Sequence, residues 1–391
     1  MIKLEEALEI IEKSVKKTMS TESIGLLNSR GRILAADIYS DMDFPSFDKS
    51  AMDGYAIKQQ DIEKELEPIE FIPAGKMPEK KVESGQCSKI MTGAMLPAGS
   101  DMVVKVEDTQ LIDGKVKVVN LKSKGNVLFR GEDIKSGNVV LHKYQKLTSV
   151  HTGIMASVGM LNPEVFKKPV LSVLSTGSEL VLPEEKPLPP QIRNSNSTQL
   201  QSLAYECGAE VSFVSQIEDD EEKILANVKT ALEKSDIVVL TGGASFGDLD
   251  FSQKVFESLN AKIQFTTLAI QPGKPCLFAT IGDKFLFGLS GNPVSSFVQF
   301  QLLVKPLIKK LSAIMEEEIK FKLPITKEMK RKRAERNLFF PVFINNEMAV
   351  QPVEYHGSAH LNAYQNANAM ASFSIGKDVL QKGELVDVRP I

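Results

Sequence analysis

Leu4, Leu8, Ile11 and Val15 recur at spacings of four, three and four, which lays one apolar stripe along a helix in MIKLEEALEIIEKSVKK. After Gly31 the pattern becomes short and mixed. Residues 41 to 56 (DMDFPSFDKSAMDGYA) hold four Asp, a Pro and a Gly with no helical period and read as a loop. From Lys81 to about His142, brief runs such as MVVKV and KVKVV alternate with turn signals, as in a small all-β module. Residues 146 to 160 (KLTSVHTGIMASVGM) read as helix again. That helix completes a unit begun at the N-terminus, so the β module reads as an insertion.

The rhythm changes between Pro169 and about Leu311. Apolar strands (PVLSVL, VSFVSQI, IVVLTGG, KFLFGLSG) alternate with helices near residues 197 to 206, in EDDEEKILANVKTALEKS, in DFSQKVFESL and in the long run PVSSFVQFQLLVKPLIKKL. Such alternation predicts an α/β domain, a mostly parallel sheet with helices on both faces. The last eighty or so residues lose this rhythm. FFPVFINNEMAVQPV suggests two strands turning at Asn345-Asn346, and GELVDVRPI a further one, so a small β domain is expected there.

Composition narrows the class. A chain of 391 residues exceeds one core and implies about two to four units of roughly 100 to 200 residues. With net charge -3 and the longest basic run (Lys327 to Arg336) interrupted by acids, no phosphate-backbone footprint is present, and nucleic acid is excluded as a partner. Cys87, Cys207 and Cys276 lack Cys-x-x-Cys spacing and read as small buried apolar residues in a reducing compartment. The N-terminal segment lacks a signal-peptide core, and no run nears the ~18 apolar residues of a membrane span. The cytoplasm is the expected location, with no membrane partner.

Candidate chemistry gathers at the strand ends. Three strands run into the small-residue turns Ser175-Thr176-Gly177, Thr241-Gly242-Gly243 and Ser290-Gly291-Asn292. In open α/β sheets such turns present helix N-termini and backbone N–H groups to anions, although each alone also suits a tight turn. Neither the dinucleotide nor the P-loop fingerprint occurs. Carboxylates stand beside the turns: Glu179 after the first, Asp248 and Asp250 after the second, Asp219 and Asp220 after VSFVSQI. Oxygen ligands of this kind suit Mg²⁺ bridging to substrate phosphates, while helix capping is the other reading, above all for Asp219 and Asp220. Lys274, held between Pro272 and Pro275, suits anion recognition or a solvated loop. Asp48 and Asp53 lie in the 41 to 56 loop. His356 and His360 have i, i+4 spacing, but Gly357 and Ser358 between them argue against a helical metal pair, and His142 and His151 show no partners.

Seven segments carry a resemblance: PSFDKSAMDGYA (45 to 56), IMTGAMLPAGSDMVVKVED (90 to 108), RGEDI (130 to 134), STGSEL (175 to 180), LTGGASFGDLDF (240 to 251), QPGKP (271 to 275) and GLSGNPVSSF (288 to 297). Together they resemble the MoeA family of molybdopterin molybdenumtransferases, which includes the E domain of gephyrin. The resemblance implies an α/β multidomain fold of four subdomains. These are an elongated one (1 to 44 and 142 to 168), an inserted β-rich one (45 to 141), a doubly wound MoaB/MogA-like molybdopterin- and nucleotide-binding one (169 to 312), and a C-terminal β-barrel (313 to 391). It implies a homodimer whose active site lies between the doubly wound subdomain of one copy and the inserted subdomain of the other.

The reaction implied is Mg²⁺-assisted transfer of molybdenum from molybdate into adenylylated molybdopterin, releasing AMP; the molybdopterin adenylyltransferase is implied as a delivery partner. Carried over by motif, Asp53, Thr92 and Asp133 come from the inserted subdomain, and Glu179, Asp219 and Asp250 organise the metal and the phosphoanhydride. Thr176, Gly242, Gly243, Ser245, Lys274, Gly291, Asn292, Pro293 and Ser295 cradle nucleotide or molybdate. Ser178 stands where Asp is usual, Ser290 where Pro is usual, and Thr267 and Gln271 where lysines are frequent. Two rival readings are a molybdopterin adenylyltransferase and a non-catalytic scaffold. The DKSAMDGYA loop speaks against the first, and the retained carboxylates against the second.

Overall fold

The computed structural model describes residues 1 to 242, 251 to 315 and 321 to 391, and the chain divides into two compact units. One comprises residues 1 to 23, 31 to 35 and 164 to 391; the other comprises 24 to 30 and 36 to 163.

The larger unit is built on a six-stranded sheet. Its strand order is Glu210–Ile217, Val170–Thr176, Ile237–Thr241, Lys284–Leu289, Pro275–Ile281 and Lys262–Thr267. The first four run parallel, Pro275–Ile281 runs opposite to them, and Lys262–Thr267, antiparallel to Pro275–Ile281, runs with the first four. Those last two strands escape the apolar pattern, although Gly282 and Asp283 between Ile281 and Lys284 form a two-residue hairpin turn, with Gly282 at φ 57°. Side chains alternate between two cores. Val173, Ile237, Val239 and Phe287 pack with the first helix, whereas Leu174, Val238, Leu240 and Leu286 pack with Ile224, Val228, Val255 and Phe256. A sheet buried on both faces explains why IVVL is apolar throughout. Each large side chain so buried stabilises by roughly 1.5–3 kcal/mol.

The first helix, Leu4–Ser14, buries Leu4, Ala7 and Ile11. Leu8 and Val15 are only partly buried, so the stripe centres on Ala7 and not on Leu8. The helices of the sheet are Ser195–Glu206, Glu221–Lys234, Phe251–Ser258 and Pro293–Gln299. The run expected as one helix from Pro293 to Leu311 contains a π turn at Phe300–Val304 before continuing as Lys305–Leu311. Lys305 donates to the Phe300 carbonyl, five residues back, and Pro306 has no N–H to keep the ordinary ladder going.

Residues beyond 320 form the sheet Asn337–Ile344, Ala369–Phe373, Leu385–Pro390 and Phe321–Pro324, with Val350–Pro352 and Ile270–Gln271 paired to the first of these. A bridge between Ile325 and Val350 joins its ends. The hairpin is a correction: it turns through residues 345 to 349, not through Asn345-Asn346 alone. Asn345 Oδ1 accepts from the Glu347 and Ala349 amides, and Met348 adopts φ 56°.

The second unit centres on the order Met102–Lys105, Gly54–Ile57, Gln86–Ile90, Glu65–Ile72, Lys115–Val118 and Thr109–Ile112. Here the loop expected over 41 to 56 is corrected, because Gly54–Ile57 is a buried interior strand. A Cβ at Gly54 would lie 2.0 Å from the Val104 carbonyl oxygen, so glycine lets the neighbouring strand close in. The expected helix at 146 to 160 is Ser149–Ser157, and His151 has a partner after all: its Nδ1 accepts from the Thr148 amide at 3.2 Å, closing a capping box. Among the described residues no helix is long and apolar enough to cross a membrane.

Candidate functional site

The four parallel strands deliver their carboxyl ends to one edge of the larger unit. A cleft of about 830 Å³ opens there. Its walls include Thr176, Glu179, Asp219, Gly242, Gly291, Asn292 and Pro293, so the first, second and third turns, read separately in sequence, meet in one place.

Close packing sets the floor. Gly242 has φ 88°, and a Cβ there would fall 2.1 Å from the Thr176 carbonyl oxygen, so the two turns touch only because position 242 is glycine. The Thr176 hydroxyl beneath is buried with no hydrogen-bond partner among the described residues. The helix Ser195–Glu206 stitches the other two turns. Asn196 Nδ2 donates to Thr241 Oγ1 at 3.0 Å and to the Gly291 carbonyl at 2.8 Å, and Thr241 Oγ1 donates to the Ser290 carbonyl at 3.0 Å. Asn194 caps the helix by accepting from Ser197 N at 3.1 Å, and Ser197 Oγ lies 2.7 Å from Ser175 Oγ. The helix therefore begins two residues before the 197 that the apolar pattern suggests, and Asn194 to Asn196 fall outside the sequence-based site. The polar run Asn194-Ser195-Asn196-Ser197 carries a cap signature that would have found them.

The paired aspartates divide their labour. Asp220 caps Glu221–Lys234 by accepting from Lys223 N at 2.9 Å. Asp219 turns toward the first strand's turn, where its Oδ2 accepts from Ser178 N at 3.2 Å and its own N–H donates to Ser178 Oγ at 3.3 Å. The capping reading therefore holds for Asp220 and not for Asp219. Glu179 is exposed in the same cleft, which puts two carboxylates on one wall. Gly243, Ser245, Asp248 and Asp250 lie outside the described residues. Among the described residues no three His, Cys, Asp or Glu side chains form a metal-binding group.

Lys274 is exposed, next to the cleft wall residue Pro275, and its backbone carbonyl accepts from Leu268 N at 2.9 Å. Ser295 is buried in its helix, away from the cleft walls. His356 and His360 stack at 5.0 Å between centroids in an irregular stretch, so their spacing makes no helical pair.

In the second unit Asp53 and Thr92 meet. Asp53 Oδ1 accepts from the Thr92 amide at 2.7 Å and from its hydroxyl at 2.6 Å. Those two bonds, the hydroxyl's first, hold the exposed Asp53 carboxyl below the usual carboxylate range. Asp133 is exposed, its N–H donating to Phe44 O at 3.0 Å, and no hydrogen bond joins it to Asp53 or Thr92. Asp48 is structural, since its Oδ1 accepts from Arg130 N at 2.7 Å. Cys87 and Cys276 are buried as expected, but Cys207 is only partly so. Burial pushes the thiols of Cys87 and Cys207 up, to about 12 and about 11.

A family profile described as the MoeA N-terminal region (domain I and II) matches residues 2 to 159, and one described as a probable molybdopterin binding domain matches residues 172 to 310. The chain is 34% identical over 403 residues to a molybdopterin molybdenumtransferase of Staphylococcus epidermidis, covering 97% of this chain and 94% of that one. To the Bacillus subtilis protein of the same name it is 37% identical over 306 residues, 75% of this chain and 71% of the relative. A crystal structure of a molybdopterin biosynthesis MoeA protein from Pyrococcus horikoshii OT3 superposes with a TM-score of 0.86 at 29% identity, covering both chains fully.

Proposed function

This chain belongs to the MoeA family of molybdopterin molybdenumtransferases, and from that premise we propose how its residues carry out the insertion of molybdenum into molybdopterin. The carrying observation is the single cleft in which Glu179 and Asp219 face a cradle of tight turns and a helix N-terminus. Carboxylates call for a cation, and the turns call for anions. A pyrophosphate ligand beside a divalent cation answers both.

The substrate is adenylylated molybdopterin: molybdenum from molybdate passes to its dithiolene sulfurs, and its phosphoanhydride is hydrolysed, so that water is taken up, AMP leaves and the molybdopterin keeps its own phosphate. Gly242 and Gly291 offer backbone N–H groups to phosphate oxygens, Asn292 adds its side-chain amide, and the motif assigns Gly243, Ser245 and Ser295 to the same ligand. Glu179 and Asp219, with Asp250, hold Mg²⁺. Two cleft carboxylates fit that ion, which is held in such sites by one or two carboxylates plus substrate phosphates. When bound, it offsets the charge of the anhydride. Ser178 N–H engages one oxygen of Asp219 and so fixes the carboxylate plane, which leaves the other oxygen for the cation. Lys274, from the QPGKP segment, meets the tetrahedral oxyanion at the cleft whose walls include Thr176 and Pro293. Two anions repel, and these donors lower that barrier while holding the reactants together.

The chain works as a cytoplasmic homodimer of four subdomains with the boundaries 1 to 44 with 142 to 168, 45 to 141, 169 to 312 and 313 to 391, the last a barrel. The partner's Asp53, the partner's Thr92 and the partner's Asp133 complete each site, and the adenylyltransferase delivers the substrate. The test is a release assay with purified chain, adenylylated molybdopterin, Mg²⁺ and molybdate. AMP release that depends on molybdate is expected; bound substrate with no such release refutes the insertase reading.

A further inference from the structure

Gln299 is fully buried, yet its carboxamide is saturated by the two loops that flank the cleft. Its Oε1 accepts from Ser290 N at 2.9 Å, and its Nε2 donates to the carbonyls of Gly273 at 3.0 Å and Pro275 at 2.6 Å. The two carbonyls stand on either side of Lys274. We propose that Gln299 is the positioning residue that ties the Lys274 loop to the Ser290–Asn292 turn and thereby sets the affinity for the oxyanion.

Three observations converge on it. Both donor hydrogens of the amide and its acceptor are spent on these loops and on nothing else, so the side chain is a fixed strut and not a filler of the core. Ser290 occupies a position where the family commonly has proline; a proline has no N–H and would leave Gln299 Oε1 buried and unpaired. With Thr267 and Gln271 in place of lysines, Lys274 is the one basic side chain that the segment from residue 263 to 283 contributes, so its placement decides what charge this loop brings to the cleft. Gln299 never touches the substrate and acts through Lys274.

The inference rests on the reading that Lys274 meets the oxyanion, so the test has two arms. Molybdate alone is titrated against the full chain by calorimetry, and KM for molybdate and for adenylylated molybdopterin is read separately in the AMP-release assay. Gln299→Met removes all three bonds and is expected to weaken molybdate about tenfold or more, with KM for the nucleotide substrate held within about twofold. Ser290→Pro removes one of the three Gln299 bonds, together with the 3.3 Å bond from Asn292 N to Ser290 Oγ, and is expected to give a smaller weakening in the same direction. In a Lys274→Ala background, Gln299→Met should add nothing further.

The proposal is overturned if both substitutions leave molybdate binding unchanged, if both substrates weaken together, or if the effect persists undiminished without Lys274. If molybdate binds as predicted in the titration but the wild-type chain releases no AMP, the insertase reading fails and the positioning role stands.

Discussion

Thr92 gives both its backbone N–H and its hydroxyl to one carboxylate oxygen of Asp53, at 2.7 and 2.6 Å. The hydroxyl contributes most to the depressed Asp53 pKa, so Thr92→Val should let that carboxyl titrate closer to its ordinary value of about 4. The sign follows: a folded pKa below the unfolded one stabilises above the unfolded value, and the contribution disappears as pH falls through the folded value. Carboxyl-carbon NMR of both proteins across acid pH reads the shift, and identical titrations would show that the hydroxyl does not act on Asp53.

If the partner's Asp53 and a copy's own Glu179 serve one site, the two can be lost on different chains. Asp53→Ala and Glu179→Ala homodimers are each expected to lose about 100-fold or more in AMP release. After subunit exchange the mixture should recover roughly a quarter of wild-type activity, because half of the dimers are mixed and each of these holds one intact site. Recovery of nothing, with exchange verified by mass spectrometry of tagged chains, places both residues within one copy's site.

Gly242 lets the second turn rest on Thr176. Gly242→Ala combines a left-handed backbone with a 2.1 Å approach to a carbonyl oxygen, so a loss of about 1–3 kcal/mol or more is expected in urea unfolding. AMP binding should weaken with it, and an unaltered unfolding midpoint would mean the turns can separate at no cost.

Ser178 faces Asp219 through reciprocal bonds of 3.2 and 3.3 Å. Ser178→Asp places a third carboxylate beside Asp219 and Glu179, and the Mg²⁺ concentration for half-maximal AMP release should fall severalfold. A requirement that rises or stays fixed argues that the cation sits elsewhere.

Burial keeps the Cys87 and Cys207 thiols protonated well above neutral pH, and Cys276 is pushed up the same way. A disulfide reagent at pH 7 should label the native chain slowly, with partly exposed Cys207 first. Rapid labelling of Cys276 would mean that the sheet opens.

The sheet of the larger unit was readable because IVVL and KFLF are apolar on both faces and short, a pattern that helices do not share. The edge strand Lys262–Thr267 and its neighbour Pro275–Ile281 were not, since one is half polar and the other begins at proline. In the site, glycine turns and carboxylates announced themselves by residue type. Gln299 and the cleft bonds of Asn196 did not, because an amide becomes functional only through what it is folded against, and apart from Ser290, nine residues before Gln299, their partners lie 24 to 95 positions away. Likewise nothing in the string Asp219-Asp220 says that one carboxylate caps a helix and its neighbour faces the cleft.

Glu12 of the first helix bonds Lys310, 298 residues further along, and Leu4, Ala7 and Ile11 pack into a core completed by the Pro293–Leu311 run. On the ribosome that amphipathic helix therefore emerges long before its resting place exists. It must wait, apolar side outward, while the whole of the second unit is synthesised and can fold. The nascent chain is thus most exposed to chaperones and to self-association in its first half, and a truncation short of residue 311 leaves a sticky helix with nowhere to go.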